Sequence, residues 1–215
     1  RDAQESRGLG DVYKRQQYYL PARRIVVATQ SMFIRKDWLE KLGMEVPTNV
    51  EELYAYLKAA KEQKLGGDNT IPYSSGLCAA GPFYGWIYQM DAFLDYSQIT
   101  EEDWVANFKF HYMLPGAKEA LRWMNKFFNE GLVSDYFGIE NSKQTDSDRV
   151  NGYDGFWVGN WDAPWRMEKS YAQDLAKNVP GASWIACDPF KPEAGTTPHE
   201  TYTCLLYTSP SPRDS

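Results

Sequence analysis

The run Phe156–Val158, bounded by Gly155 and Gly159, constrains the fold of this 215-residue chain more than any other stretch. Two aromatic side chains and one β-branched side chain between glycines read as a short buried strand. Gly159 and Asn160 break it. Asp162 stands where a helix cap is wanted, and Pro164 is tolerated in the first turn that follows. Strand, tight turn and helix are therefore expected in succession, with Trp161 held at the C-terminal edge of the strand. Ligands of α/β proteins bind along that edge. An indole there is either a lid on the core or a platform for a ligand.

The two termini carry a relation that no fold requires. One DNA coding of Ser6–Gln16, reverse-complemented and shifted by one base, reads Cys204–Arg213. That DNA resembles a transposon-type sequencing adapter. Residues 1–16 and 204–215 are accordingly expected to be adapter-derived, non-native tails, and 17–203 an internal segment of a longer protein. Setting the tails aside leaves 18 Lys and Arg against 25 Asp and Glu, a formal charge of −7 where the whole chain has −6. An acidic chain without a basic stripe argues against nucleic acid and anionic membrane as partners. The 187 remaining residues suffice for one domain with a core, and no apolar run approaches membrane-spanning length. Cys78 and Cys187 allow one disulfide without implying it, and no metal-ligand spacing is present, so no cofactor or metal is expected.

In chain order, Arg24–Thr29 and Met32–Ile34 are β-prone, and a short helix from Arg35 stops at Gly43. Thr48 and Glu51 fit a capping box. The helix it opens carries Val50, Leu53, Tyr54 and Leu57 on one apolar stripe. The charged run Lys58–Lys64 reads as a solvated face, residues 66–69 as a turn and Thr70–Ser74 as a strand. Gly81–Trp86 opens an aromatic-rich segment read as helix through Leu94. Pro115 precedes another helix, with Ala117, Leu121, Met124 and Phe128 facing the core and Gly131 as its stop. Asn141–Arg149 is polar and reads as a loop, Asp162–Lys177 as helix and Ser183–Cys187 as strand. Strands alternating with helices make the class α/β.

The order of these pieces resembles the extracellular solute-binding proteins of ABC importers, the group that includes the maltose- and oligosaccharide-binding proteins. Met32–Gly43 followed by Val46–Leu53, then Lys118–Leu132, then Gly152–Trp161 carry the resemblance. Arg35 and Asn49 depart from it, standing where the family usually has asparagine and tryptophan. The resemblance implies a periplasmic-binding-protein-like (type II) fold, and essentially one of its two lobes plus hinge segments. Residues 17–30 would be the crossing between lobes, 31–188 the ligand-binding lobe and 189–203 the return. It also implies a small-molecule solute, a sugar above all, and ABC transporter permease subunits as partners. The location implied is extracytoplasmic, at the cell surface or in the periplasm, with membrane reached only through a lipid anchor in a missing N-terminus.

The ligand-binding residues that follow from the resemblance are Trp161 with Tyr84 or Phe83, and behind them Trp86, Trp165 and Asp162. A flat ring suits the C–H face of a pyranose, with polar neighbours for the hydroxyls. Each has a plainer reading: Trp161 packs the core, Asp162 caps a helix, and Trp157 belongs to the strand interior. Arg166 is first a surface ion pair and second a holder of anions. No catalytic residue is expected. The rival reading is a glycoside hydrolase, with Asp154 and Asp162 as two carboxylates roughly 5–10 Å apart. His111 and His199 have no nucleophile in a recognisable elbow. A binder of peptides or other solutes would share the fold and differ only in cleft chemistry.

Overall fold

A computed structural model describes residues 12–13, 16–17, 30–74, 92–95, 97, 114–135, 142–166, 170–188, 190 and 192–193. Its centre is a four-stranded sheet of β3 (Gln30–Arg35), β4 (Ile71–Ser74), β5 (Asp154–Asn160) and β6 (Trp184–Cys187), in the order β4-β5-β3-β6. β4 runs parallel to β5, while β3 is antiparallel to both β5 and β6. The four strands read from the sequence thus share one sheet. Two residue pairs near the chain start, β1 (Val12–Tyr13) and β2 (Gln16–Gln17), form a separate antiparallel hairpin.

Alternation along β5 divides the core. Phe156 faces a large cluster with Ile34, Tyr73, Leu53, Leu57 and Phe127. Trp157 faces a smaller one with Phe33, Leu175, Ala182 and Trp184. The large cluster is covered by α1 (Lys36–Leu42), α2 (Val50–Glu62) and α3 (Ala117–Asn129), which contribute Trp38, Leu53 and Phe127. On the other face lie α4 (Ser142–Val150) and α5 (Tyr171–Asn178), packed on one another. Gly43 ends α1 at φ 62°, a left-handed conformation that lets its N–H bond back to the helix carbonyls.

Five local expectations are corrected. The capping box is one residue later: Asn49 accepts from the Glu52 N–H at 2.8 Å, and the Glu52 carboxylate accepts from the Thr48 N–H at 2.7 Å. The polar segment read as a loop is α4, held by a Gln144–Asp148 bond at i,i+4 and by Asn178 donating to the Val150 carbonyl. Asp162 caps nothing. Its backbone is helical and its side chain is taken by Arg166, so only a 3-10 turn, Ala163–Trp165, forms before α5, which Ser170 caps. In α3 the buried face is Ala117, Ala120 and Phe127, while Leu121 and Phe128 are exposed. Tyr54 of α2 sets this rotation by packing against Trp123 and Phe127, one helical turn apart. Finally, Ala92 and Phe93 form a turn and Leu94 is not helical where a helix end was expected, while residues 81–91 lie outside the described residues.

Cys187 is a buried free thiol, its pKa pushed upward by burial. Cys78, most of both tails, and most of the expected hinge segments 17–30 and 189–203 lie outside the described residues.

Candidate functional site

Burial falls along β5, from complete at Asp154–Trp157 to partial at Val158–Asn160. Trp161 follows directly and is half-buried. It belongs to neither core cluster, and among the described residues it makes no hydrogen bond or ring contact. An indole of this size ordinarily anchors a core or an interface. This one is held at the strand end and used by neither cluster.

Beside it, Gly159 opens a cavity of about 440 Å³. A Cβ at Gly159 would come within 2.5 Å of the Trp157 ring, so only glycine lets that ring lie along the strand. The Arg149 guanidinium sits 4.1 Å above the Trp157 ring and 5.4 Å from that of Tyr171, a cation–π arrangement. The Tyr171 hydroxyl donates to Asp146 at 2.6 Å, which fixes the far wall. Asn160, Ala163 and Arg166 complete the lining among the described residues. Arg166 donates from Nε to Asp162 at 2.8 Å. Trp165 is 49% exposed and stands edge-on to Phe33, with centroids 6.0 Å apart.

The electrostatics around Arg149 are unusual. Asp154 is fully buried, and desolvation drives its pKa from 3.8 up to about 7, against the opposing pull of Arg149. The nearest carboxylate oxygens to Arg149 lie 3.6 Å away on Asp154 and 3.9 Å away on Asp146. Both are ion-pair distances too long for hydrogen bonds. Arg149 Nε is buried without a hydrogen-bond partner. A second opening of about 460 Å³ lies at the opposite ends of β4 and β5, lined by Ile71, Tyr153 and three aspartates. That is not the strand edge at which α/β folds bind ligands.

Of the residues singled out from the sequence, Trp161, Asp162, Trp165 and Arg166 gather at the end of β5, and Trp157 is core. Phe83, Tyr84, Trp86, His111 and His199 lie outside the described residues. Asp154 and Asp162 do not form the carboxylate pair that glycoside hydrolysis needs. Asp154 is sealed inside the sheet, and the strand from Asp154 to Asn160 alone spans about 20 Å at ~3.3 Å per residue, against the roughly 5–10 Å required. Arg149 and Tyr171 were missed by sequence reasoning. The spacing of Gln144 to Asp148 and of Asp146 to Arg149, four and three residues apart, was the available signal for a helix that turns Arg149 inward.

No family model matches the chain. It is similar to two curated proteins of Bacillus subtilis (strain 168). One is the polygalacturonan/rhamnogalacturonan-binding protein YtcQ, 26% identical over 141 residues, covering 62% of this chain and 27% of YtcQ. The other is the lipoprotein LipO, 27% identical over 136 residues, covering 59% of this chain and 26% of LipO. The chain therefore spans about a quarter of the length of these relatives. Among solved structures it is similar to an HMO-binding, ABC-transporter-associated solute-binding protein from Bifidobacterium longum infantis. The TM-score is 0.59 at 20% identity, covering 92% of this chain and 41% of that one. The fold is that of the type II periplasmic-binding-protein-like structures, and this chain covers 41% and 42% of two such similar solved chains.

Proposed function

We propose that residues 31–188 are a ligand-binding lobe of an ABC-importer solute-binding protein and that the solute is a carbohydrate. Residues 17–30 and 189–203 would be the hinge crossings to a second lobe. The observation that carries this reading is Trp161: a half-buried indole at the C-terminal edge of the central strand, packed into neither core cluster. Such a ring offers a flat apolar face to a pyranose, and Asn160, Asp162 and Arg166 beside it offer hydrogen bonds to hydroxyls. Trp165 is a second exposed ring on the same turn. Phe83, Tyr84 and Trp86 are proposed to supply further stacking from the 81–86 segment. The relatives support a sugar: YtcQ binds polygalacturonan and rhamnogalacturonan, and the similar solved structure is an HMO-binding protein. Delivery would be to permease subunits outside the cytoplasm, from a lipid-anchored protein as in LipO or from a free one.

The test is calorimetry of the intact protein carrying this chain against a panel of neutral and acidic oligosaccharides. Binding of at least one sugar, weakened by Trp161→Ala without a matching loss of melting temperature, is expected. Failure of every sugar to bind a folded protein overturns the reading.

A further inference from the structure

We infer that the solute carries an anionic substituent, a carboxylate or a sulfate ester, recognised by Arg149 and Arg166 in the cavity beside Gly159. This rests on the solute-binding reading above and narrows it. The described lining holds two guanidinium groups and no carboxylate, with aspartates outside the lining within 4 Å of both, in a chain that is acidic as a whole. Its neutral polar groups are one amide, Asn160, and one phenol, Tyr171. A neutral sugar needs acceptors for its hydroxyl protons, and this wall is composed mainly of donors.

Arg149 carries the argument. Its side chain is 10% exposed, yet it makes no hydrogen bond among the described residues. A guanidinium has five N–H donors in a rigid fork, and burying them unpaired is costly. Ring contacts with Trp157 and Tyr171 hold its plane in place, and the two aspartates at 3.6 and 3.9 Å balance its charge without taking its protons. The other buried arginine shows what a purely structural role looks like. Arg35 donates to both oxygens of Asp37 at 2.8 Å and to the Gly152 carbonyl at 3.0 Å. Arg35 is consumed by the fold, and Arg149 is not. An oxyanion entering the cavity would meet a fixed fork with donors to spare, the geometry in which arginine binds carboxylate and sulfate best. Arg166, steadied at Nε by Asp162 and half exposed, supplies a second positive charge on the same wall.

The experiment uses the intact protein and three probes: a triuronide, its carboxyl-reduced neutral trisaccharide, and that neutral trisaccharide O-sulfated. At least one acidic probe is expected to bind about 10-fold or more tighter than the neutral one, as for a charge-assisted bidentate pair. Comparing the two acidic probes decides between carboxylate and sulfate. Arg166→Gln should cut the acid-over-neutral ratio by roughly 5-fold. Arg149→Lys, which keeps the charge and loses the fork, should cut it too. If Arg149→Lys fails to fold, Arg166→Gln still decides the matter. Equal or tighter binding of the neutral probe, or an unchanged ratio in Arg166→Gln, overturns the inference and leaves the sugar reading standing. If none of the three binds a folded protein, this inference falls, and the wider panel of oligosaccharides decides the sugar reading by itself.

Discussion

At its N-terminal end β5 runs past an arginine whose three guanidinium nitrogens all find acceptors inside the protein. Arg35 lies between the Trp38 and Trp184 rings, 4.9 and 5.5 Å from their centroids, and spends its donors on Asp37 and Gly152. Tyr56 donates to the Gly155 carbonyl at 3.0 Å. A Cβ on Gly155 would strike the Trp38 ring at 2.4 Å. Toward the C-terminal end Gly159 leaves a cavity beside which Arg149 has unspent donors, and Trp161 has no ring partner among the described residues. One strand thus serves two purposes. Tight packing and a fully bonded arginine at one end fix the backbone that presents loosely committed groups at the other. Sites are held in place this way by rigid elements whose own requirements are met elsewhere.

The largest effect that would break this contrast is at Arg35. Its replacement by alanine leaves the Asp37 carboxylate with only the Ser183 N–H and empties the space between two indoles, so a loss of about 3–5 kcal/mol is expected, as for one partner of a buried ion pair. Urea unfolding of the intact protein measures it. A loss below about 1 kcal/mol would mean that the closed end is not what holds the strand.

Next in size is a pH effect at Asp154. Its pKa is raised in the folded protein to about 7 from 3.8, so between these values the folded state binds more protons than the unfolded one. Stability from this group is fully present below the unfolded value and is lost as pH rises through the folded one. Treated alone, the shift corresponds to an upper bound of about 4 kcal/mol. Unfolding free energy should therefore decline from about pH 4 to 7, and Asp154→Asn should flatten that slope. A slope that is unchanged in the variant would assign the decline to other groups.

The same contrast separates what could be read from the sequence from what could not. All four strands of the main sheet, α2 and the stop at Gly43 were legible, because apolar period and glycine chemistry are local properties. So was Trp161 at the strand edge, since it follows directly from where the apolar run stops. The register of α3 was not. Leu121 and Phe128 fit a helical stripe as well as Trp123 and Phe127 do, and the choice is made by Tyr54 on another helix. α4 was hidden because it is polar all round and draws its support from α5 and from its own i,i+4 pairs. Arg149 was lost with it, so the most chemically pointed residue of the cavity sat in a stretch taken for loop. Asp162 satisfied the cap pattern, but capping needs an extended backbone, and here φ −99° and ψ −1° are helical.

A difference of a few kcal/mol between two tryptophans sharpens the comparison along β5 itself. Trp157 is 1% exposed and touches four rings or guanidiniums, so Trp157→Ala should cost about 3–5 kcal/mol. Trp161, four residues later and packed into neither cluster, should cost about 1 kcal/mol or less, with the damage appearing in solute affinity. Melting and titration of the two variants side by side give the answer. Equal destabilisation would move Trp161 into the core and close the open end of the strand.

The smallest expected effect concerns the ion pair at the rim. Arg166 and Asp162 meet at 2.8 Å, but their side chains are 48% and 32% exposed. Water competes for both partners and salt screens them, so a double-mutant cycle should return about 0.2–1 kcal/mol, shrinking further in high salt. What makes the pair informative is the sign of its effect on binding. If Asp162 serves to hold Arg166 against the cavity, Asp162→Ala lowers affinity for the solute by freeing the arginine to wander. If Asp162 competes with an anionic solute for the same guanidinium, its removal raises that affinity while moving the melting temperature by no more than about 4 °C, as expected for a surface pair of this strength. A rise for an acidic sugar with no rise for its neutral counterpart would place Arg166 in direct contact with the anion. A fall for both would make it a scaffold for the wall.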